Sequence, residues 1–389
     1  MLPMWLIGII FILLIAYGIL IRFYTKSWKQ MPEQITGKEA MDDAPTFSVI
    51  IPARNEATTI LPLLESIKKQ SYLLEYVEII VIDDHSEDHT AALVQKFRAE
   101  NQGRLTVRLI SLKEDALNSY KKKAIETGIA AAKKEWIVCT DADCTVPVQW
   151  LQSYAERIRK AGPVFIAAPV SLIPTPTSVK KHRLLYIFQT LDFLTLQGIT
   201  GASVYKNVHT MCNGANLAYK RDTFYEVNGF KGIDTIASGD DMLLMHKIWK
   251  RHPQKIQYLK SKEAIVETAA AATWRAFINQ RIRWASKATR YEDKRIFGVL
   301  LLVYLFNCSF LLLLVMSFFN VCYFYAFFWF WIAKTFTELP FITSVASFFD
   351  KRQLLRYFFI FQPLHIGYTI LAGFLGSFGK YEWKGRVVK

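Results

Sequence analysis

The sequence predicts an α/β protein, a mostly parallel, doubly wound sheet with membrane helices on either side of it in the chain. Three observations predict this. Short apolar runs alternate with amphipathic stretches from Phe47 to about Arg290, long uncharged runs occupy both ends, and successive apolar runs stop in polar breaks.

Leu2 to Ile21 carries no charged residue, and about 20 such residues at the helical rise match a bilayer core. A cleaved signal peptide would place its positive residues ahead of the apolar run. Here Arg22, Lys26 and Lys29 follow it and no small-x-small cleavage pattern closes it, so residues 1–22 read as a membrane anchor. Basic flanks stay inside, which puts the following domain in the cytoplasm of a protein integral to the cell membrane.

The next stretch supplies the sheet. "FSVIIPARNE" reads as a buried strand stopped by Pro52, and "ATTILPLLESIKKQ" has helical spacing. "VEIIVIDD", "LTVRLISL" and "EWIVCTDAD" read as further strands, with "HTAALVQKFRAE" and "KKKAIETGIAAAKK" as the helices between them. In such sheets a ligand sits beyond the carboxyl ends of the strands. The breaks Pro52 to Glu56, Asp83 to Asp88 and Asp141 to Asp143 therefore converge on one edge and predict a pocket. No GxGxxG or Walker loop accompanies them, so the dinucleotide and P-loop classes drop out.

Asp141-Ala142-Asp143 would place two carboxylates on one side of an extended chain, an arrangement able to hold a divalent metal carrying diphosphate oxygens. An acidic turn after a strand is the plainer reading of the same residues. "CNGANLAYKRDTF" offers Asn213, Gly214 and Asn216 in a turn suited to close backbone approach to a ligand. Asp240 and Asp241 open an apolar helical pattern, where carboxylates also serve as helix caps. "INQRIRWASK" puts Gln280 and Arg283 three apart on one helical face, beside Trp284. A basic amphipathic helix lying on a membrane is its alternative.

Ile296 to Ala333 is uncharged and long enough for two crossings joined by a turn near Asn320, and Tyr357 to Gly379 could supply a third. Lys334 and Glu338 fall side by side on a helix and would neutralise each other. Lys351, Arg352 and Arg356 on one flank of the last run, and Lys380, Lys384, Arg386 and Lys389 on the other, both ask for the cytoplasm. A single crossing cannot satisfy both, and Pro363 and Gly367 leave room for a re-entrant segment. Lys180 to Ile199 begins basic and turns apolar with helical spacing, either an interfacial helix or a core helix.

The formal charge of +15 would suit nucleic acid, but beside membrane helices it is better matched to an anionic leaflet, so no nucleic-acid partner is expected. Five cysteines without paired spacing argue for reduced thiols. His85 and His89 lack the further ligands of a metal site, and Trp150 and Trp274 are the tryptophans placed near the pocket.

Taken in order, "PARNE", "DDHSED", "DAD", "GDD" and "QRIRW" resemble the membrane-bound branch of the family 2 glycosyltransferases, whose GT-A fold is a Rossmann-like nucleotide-sugar-binding domain. The likeness covers Phe47 to about Lys287. It implies three domains: the anchor over 1–22, a cytoplasmic GT-A domain with interfacial helices over 47–290, and a membrane region of two to three spans over 296–379. It further implies that Asp83 or Asp84 contacts the base or ribose of a nucleotide sugar, with Pro52, Arg54 and Glu56 lining the same pocket. Lys121 or Lys122 stands near the nucleotide, although Tyr120 replaces the usual preceding Gly. Asp141 and Asp143 become the pair that holds Mg²⁺ or Mn²⁺, with Asp141 also facing the substrate beside Asn213 and Gly214. Asp241 becomes the catalytic base, and "GDD" in place of "TED" leaves the part of Asp240 less defined. Gln280, Arg283 and Trp284 become the element that closes on diphosphate and acceptor. The implied donor is a UDP sugar, with GDP sugars open, and the implied acceptor a lipid or glycan. Transfer of one sugar to a lipid, as in enzymes similar to ceramide glucosyltransferase, stands beside processive polysaccharide synthesis and, less favoured, a catalytically dead scaffold. Few polar residues lie in the apolar runs to wall a secretion path, which favours the lipid. "WKGR" at the end of the sequence points the same way.

Overall fold

The computed structural model describes residues 4–37, 43–113, 120–175, 181–234, 236, 239–286, 293–378, 381–383 and 386–388. In chain order the elements begin with α1 (Met4–Gln30), β1 (Phe47–Ala53), α2 (Ile60–Lys68), β2 (Val77–Asp83), α3 (Thr90–Glu100), β3 (Thr106–Ser111) and α4 (Tyr120–Ala131). Next come β4 (Trp136–Cys139), β5 (Cys144–Thr145), α5 (Trp150–Ala161), β6 (Phe165–Ala167), β7 (Val170–Ile173), α6 (Arg183–Tyr205), β8 (Leu217–Lys220), α7 (Arg221–Glu226) and α8 (Asp240–Arg251). β9 (Ile256–Tyr258), β10 (Val266–Ala269), α9 (Trp274–Ala285), α10 (Lys294–Met316), α11 (Val321–Phe348), α12 (Phe358–Phe378), β11 (Tyr381–Trp383) and β12 (Arg386–Val388) complete the series. These elements form two compact units, one from residues 32–173 and 210–269, the other from 1–31, 174–209 and 270–389.

The first unit holds a seven-stranded sheet in the order β3-β2-β1-β4-β8-β6-β9. β1 to β4 are mutually parallel, and β8 runs antiparallel to both its neighbours. All residues of β2 and β4 are buried, as near-continuous apolar runs in a sheet covered on both faces should be. α4 lies against β1 and β2 so closely that a Cβ on Gly128 would stand 2.7 Å from Ile82 Cδ1 and 2.8 Å from Ile50 Cγ2. That crossing has room for glycine alone without displacing the sheet's own side chains.

β1 does not stop at Pro52, which stays in register with Ile82. The reason is directional. Ile50 accepts from Thr140 N on the β4 side, and the residue two further on faces the same way, but β4 has already ended at Cys139. The missing N–H of Pro52 therefore takes no bond from the ladder. β4 is also shorter than the sequence suggests, and Asp141 to Asp143 do not lie on extended chain. Cys144 N donates to Asp141 O at 3.1 Å, closing a turn that carries both carboxylates.

In the second unit α1 packs on α6 and α11, and α10 packs on α11 and α12. α1, α10 and the segment Arg352–Gly376 are long and apolar enough to cross a membrane by length and composition. The turn near Asn320 is present, with Asn320 capping α11 by accepting from Cys322 N at 2.9 Å. Of the two helices it joins, α10 meets that standard of length and apolarity and α11 does not. Lys334 and Glu338 do pair, 2.7 Å apart, and Gln362 and Tyr17 complete a network in which each donor meets an acceptor. α6 is buried over most of its surface, as a core helix would be. Lys180, where that stretch was expected to begin, lies outside the described residues, as do Lys380, Lys384 and Lys389 and the middle of "WKGR".

Candidate active site

The site grows from the carboxyl ends of β1, β2 and β4. Two loops leave β1 and β2 and are stitched together by backbone groups that would otherwise face water. Asn55 N donates to Ser86 Oγ at 3.0 Å, Glu87 N to Asn55 Oδ1 at 2.8 Å, Glu56 N to Thr90 Oγ1 at 2.8 Å and Ala57 N to Asp88 Oδ2 at 3.0 Å. Arg54 spans the same gap, donating to the carbonyls of Asp84 and His85 at 2.9 and 3.1 Å. Asn55 and His85 both sit at positive φ of 54°, a conformation that Asn and His adopt more readily than most side chains. Glu56 turns back on its own helix start and accepts from Thr59 Oγ1 at 2.6 Å.

Asp83 is buried at the end of β2, and its Oδ1 has no hydrogen-bond partner. A buried carboxylate oxygen left open costs free energy unless a ligand's donor reaches it. Asp84 is also buried, with His85 Nδ1 3.0 Å from its Oδ1. His85 in turn presents its ring at right angles to Tyr120, the residue that opens α4.

One residue further along α4, Lys121 Nζ lies 2.7 Å from Asp141 Oδ1 and 3.6 Å from Asp240 Oδ2. Burial alone would pull the pKa of this ammonium down. The charges of Asp141 and Asp240 outweigh that, so it stands above its ordinary value and stays cationic. Lys122 goes elsewhere, donating to the carbonyl of Ile236, so of the two candidate lysines Lys121 is the one joined to the acids. Gly214 closes the cluster. A Cβ there would stand 3.3 Å from Lys121 Nζ, 3.4 Å from Asp240 Oδ2 and 3.6 Å from Asp241 Oδ2.

Asp240 and Asp241 begin α8 behind Gly239, which takes the left-handed N-cap position at φ 80°. Asp241 accepts from Gly214 N at 3.0 Å and from Met242 N at 2.8 Å. Asn213 holds the turn by accepting from Ala215 N at 3.0 Å. Asn216, which shares that turn with Asn213, is buried structure. Its Oδ1 accepts from Trp150 Nε1 and Tyr154 OH at 2.9 and 2.8 Å, and its Nδ2 donates to the carbonyls of Pro169 and Ala264 at 2.7 and 2.8 Å. Trp150 is therefore a buried partner of Asn216 and not a sugar platform. Cys139 lies beneath the acids, and burial pushes its thiol up to about 12, which leaves carboxylates as the basic groups here.

Asp141 and Asp143 suit a hard divalent cation, since both offer carboxylate oxygen from one turn and Asp143 is exposed. Among the described residues no group of three His, Cys, Asp or Glu side chains is arranged to hold a metal. Two carboxylates completed by diphosphate oxygens are the open set that Mg²⁺-type ions commonly use.

Gln280, Arg283 and Trp284 lie on α9, in the second unit, behind the cap that Thr273 Oγ1 makes with Ala276 N at 3.2 Å. The residue between them carries the connections. Arg281 is buried, its Nε donates to Asp192 Oδ2 of α6 at 2.8 Å, and its guanidinium stacks on Phe277 and on Trp284 at 4.5 and 4.3 Å. Arg281 Nη1 also donates to Gln280 Oε1 at 2.7 Å, and Tyr368 of α12 donates to Asp192 Oδ1. Sequence reading missed Arg281 and Asp192, although an acid inside the apolar run "QTLDFLTLQ" needs a buried partner and could have signalled the pair. Trp274 opens the same helix with its ring against Phe188.

The mostly parallel sheet, whose strand ends gather a lysine with acids from three places in the chain, has a GT-A fold. Residues 48–227 match the family model for Glycosyl transferase family 2. The chain is 26% identical over 253 residues to the probable glycosyltransferase YdaM of Bacillus subtilis (strain 168), covering 64% of this chain and 56% of that protein. It is 26% identical over 246 residues to the poly-beta-1,6-N-acetyl-D-glucosamine synthase of Staphylococcus aureus (strain COL), covering 63% and 55%. The chain thus spans about half the length of the curated relatives it matches. In fold it is similar to the mannosyltransferase PcManGT from Pyrobaculum calidifontis, solved in complex with GDP-Man and Mn²⁺, at TM-score 0.57 and 19% identity over 96% of this chain and 99% of that one.

Proposed function

We propose that the protein is a membrane-bound inverting glycosyltransferase that moves a sugar from a nucleotide-diphosphate sugar to the hydroxyl of a lipid or lipid-linked acceptor. The observation that carries this reading is the cluster of Lys121, Asp141, Asp240, Asp241 and Gly214 at the end of the sheet where the ends of β1 and β2 also place Arg54, Asp83 and Asp84.

In this reading Asp83 and Asp84 take the donor's base and ribose. The open oxygen of buried Asp83 supports that, because a base N–H would satisfy it. Asp141 and Asp143 would hold a divalent cation, which when bound would supply countercharge to the diphosphate leaving group. Lys121 contributes a second positive group on the same side. Asp241 accepts the proton of the acceptor hydroxyl, with its two oxygens oriented by the backbone N–H groups of Gly214 and Met242. Attack from the face opposite the leaving group inverts the anomeric carbon. The parts that the resemblance gives to Gln280, Arg283 and Trp284 belong to the same proposal, and Arg283→Ala should lower turnover with the fold intact.

Three helices long and apolar enough to cross a bilayer support a membrane setting with the domain over 47–290 on its cytoplasmic side and the C-terminal helices as its anchor region. The pairing of Tyr17, Lys334, Glu338 and Gln362 among themselves supports a lipid acceptor, because these groups are engaged and do not form a lining for a growing glycan. A second reading, polysaccharide synthesis, is favoured by the likeness to a poly-beta-1,6-N-acetyl-D-glucosamine synthase. The test is the full chain in nanodiscs with Mg²⁺ or Mn²⁺, UDP and GDP sugars, and extracted membrane lipids. Nucleotide release with one sugar added to a lipid supports the first reading, a ladder of masses supports the second, and release from no donor refutes both.

A further inference from the structure

The ammonium of Lys121 occupies ground that the cation reading assigns to a metal. Asp141 is one of the two carboxylates on the turn, and its Oδ1 is already held by Lys121 Nζ at 2.7 Å, a charge-assisted distance. The same ammonium stands 3.6 Å from Asp240 Oδ2, so one positive group serves acids from two separate parts of the chain. A divalent ion binding that carboxylate sits about 2 Å from its oxygen. It and the ammonium would then be like charges a few ångström apart in a partly enclosed site, an arrangement that low dielectric makes costly.

Lys121 can leave. Its side chain is 24% exposed and that of Asp141 36%, and a lysine is a point charge on a flexible four-carbon stem. What would draw it away is a competing anion rich in oxygen, which is what a nucleoside diphosphate brings.

We infer that Lys121 is a built-in counter-cation that keeps Asp141 from a metal until a nucleoside diphosphate arrives, so that cation and nucleotide bind together. This rests on the reading that Asp141 and Asp143 hold a divalent ion. In the free enzyme Asp141 is then paired with an ammonium, and it would be open to a divalent cation only once Lys121 has passed to the phosphate oxygens. By linkage, nucleotide must raise cation affinity by the same factor as cation raises nucleotide affinity.

The experiment is Mn²⁺ binding to the full chain in detergent, read from the loss of the free-ion EPR signal, without nucleotide and with UDP or GDP, corrected for Mn²⁺ bound to nucleotide in buffer. Wild type should bind Mn²⁺ weakly alone and more tightly with one of the nucleoside diphosphates, by about 5- to 150-fold, the usual range of coupling between sites. Lys121→Met should bind Mn²⁺ alone about tenfold more tightly than wild type, on the same scale, and Lys121→Arg should behave as wild type. Lys123→Met removes an equal charge from the same helix at a residue paired with Glu126, and should change nothing. Lys121→Met binding within twofold of wild type overturns the inference. So does Lys123→Met tightening Mn²⁺ as much as Lys121→Met, which would reduce the effect to overall charge. Should Lys121→Met not fold, wild type binding Mn²⁺ equally with and without nucleotide overturns it as well. Mn²⁺ binding to no variant under any condition refutes the cation reading itself.

Discussion

Replacing Asn216 with alanine removes four hydrogen bonds at once from a side chain with no solvent exposure. Left behind are the indole N–H of Trp150, the hydroxyl of Tyr154 and the carbonyls of Pro169 and Ala264. Each buried group without a partner costs about 1–3 kcal/mol. One water in the space vacated by the amide could rebond two of the four. Two then stay open, so the expected loss is about 2–6 kcal/mol, a large part of the roughly 5–15 kcal/mol that holds an ordinary domain folded. Hydrogen exchange on the full chain in detergent, followed at the amides of Leu217 to Lys220, reads this directly because β8 lies inside the sheet between β4 and β6. Protection there should fall by about 30-fold or more, the factor equivalent to the lower bound. Asn216→Asp keeps both acceptor contacts and loses both donors, and should fall at least as far because it sets a negative oxygen against two carbonyls. Protection within about threefold of wild type in both variants would refute the assignment of Asn216 as a structural hub.

Asp241→Asn should lower turnover by about 100-fold or more while donor binding, measured by calorimetry, is kept, and equal losses in both would contradict its role as base. Arg281→Ala strands the carboxylate of Asp192, 3% exposed, and should destabilise the helical unit by about 3–5 kcal/mol in detergent melts, whereas a loss below 1 kcal/mol would show the pair to be dispensable. His209 is 3% exposed, and its Nε2 lies 2.9 Å from Ser203 Oγ and 3.0 Å from Tyr24 OH, two hydroxyls able to donate to it. Burial lowers its pKa to about 4 from 6.5, so the folded state favours the neutral ring. The stability it contributes is present above pH 6.5 and is lost as pH falls from 6.5 through 4, about 3 kcal/mol in all, and His209→Gln should flatten that part of the pH–stability curve.

Much of the sheet was legible because period and length agree in the buried strands. Val77–Asp83 is apolar from Ile79 to Ile82 and then acidic, and it is a strand that ends at the site. The short β6 and β9, three residues each, carry too little pattern to stand out, and the antiparallel run of β8 depends on partners far away in the chain. Within the site, residue type identified the acids but not their company. Lys121 and Lys122 are equivalent on paper, and only the packing of α4 against β1 and β2 turns one toward Asp141 and the other toward Ile236. Asn213 and Asn216 share a turn and an amide, yet the second faces inward because Trp150 and Tyr154 on α5 present two donors one helical turn apart. Arg281 was hidden between two motif residues that draw the eye.

Asp192 and Arg281 are both translated well before Tyr368. Until α12 leaves the ribosome, one oxygen of that buried carboxylate lacks the phenol that later donates to it, and the helix bearing Gln280, Arg283 and Trp284 lacks the support it gains there. Docking of α12 thereby sets when that helix becomes settled. A nascent or truncated chain ending before α12 already holds every strand of the seven-stranded sheet, while the helix bearing Gln280, Arg283 and Trp284 stays unsettled.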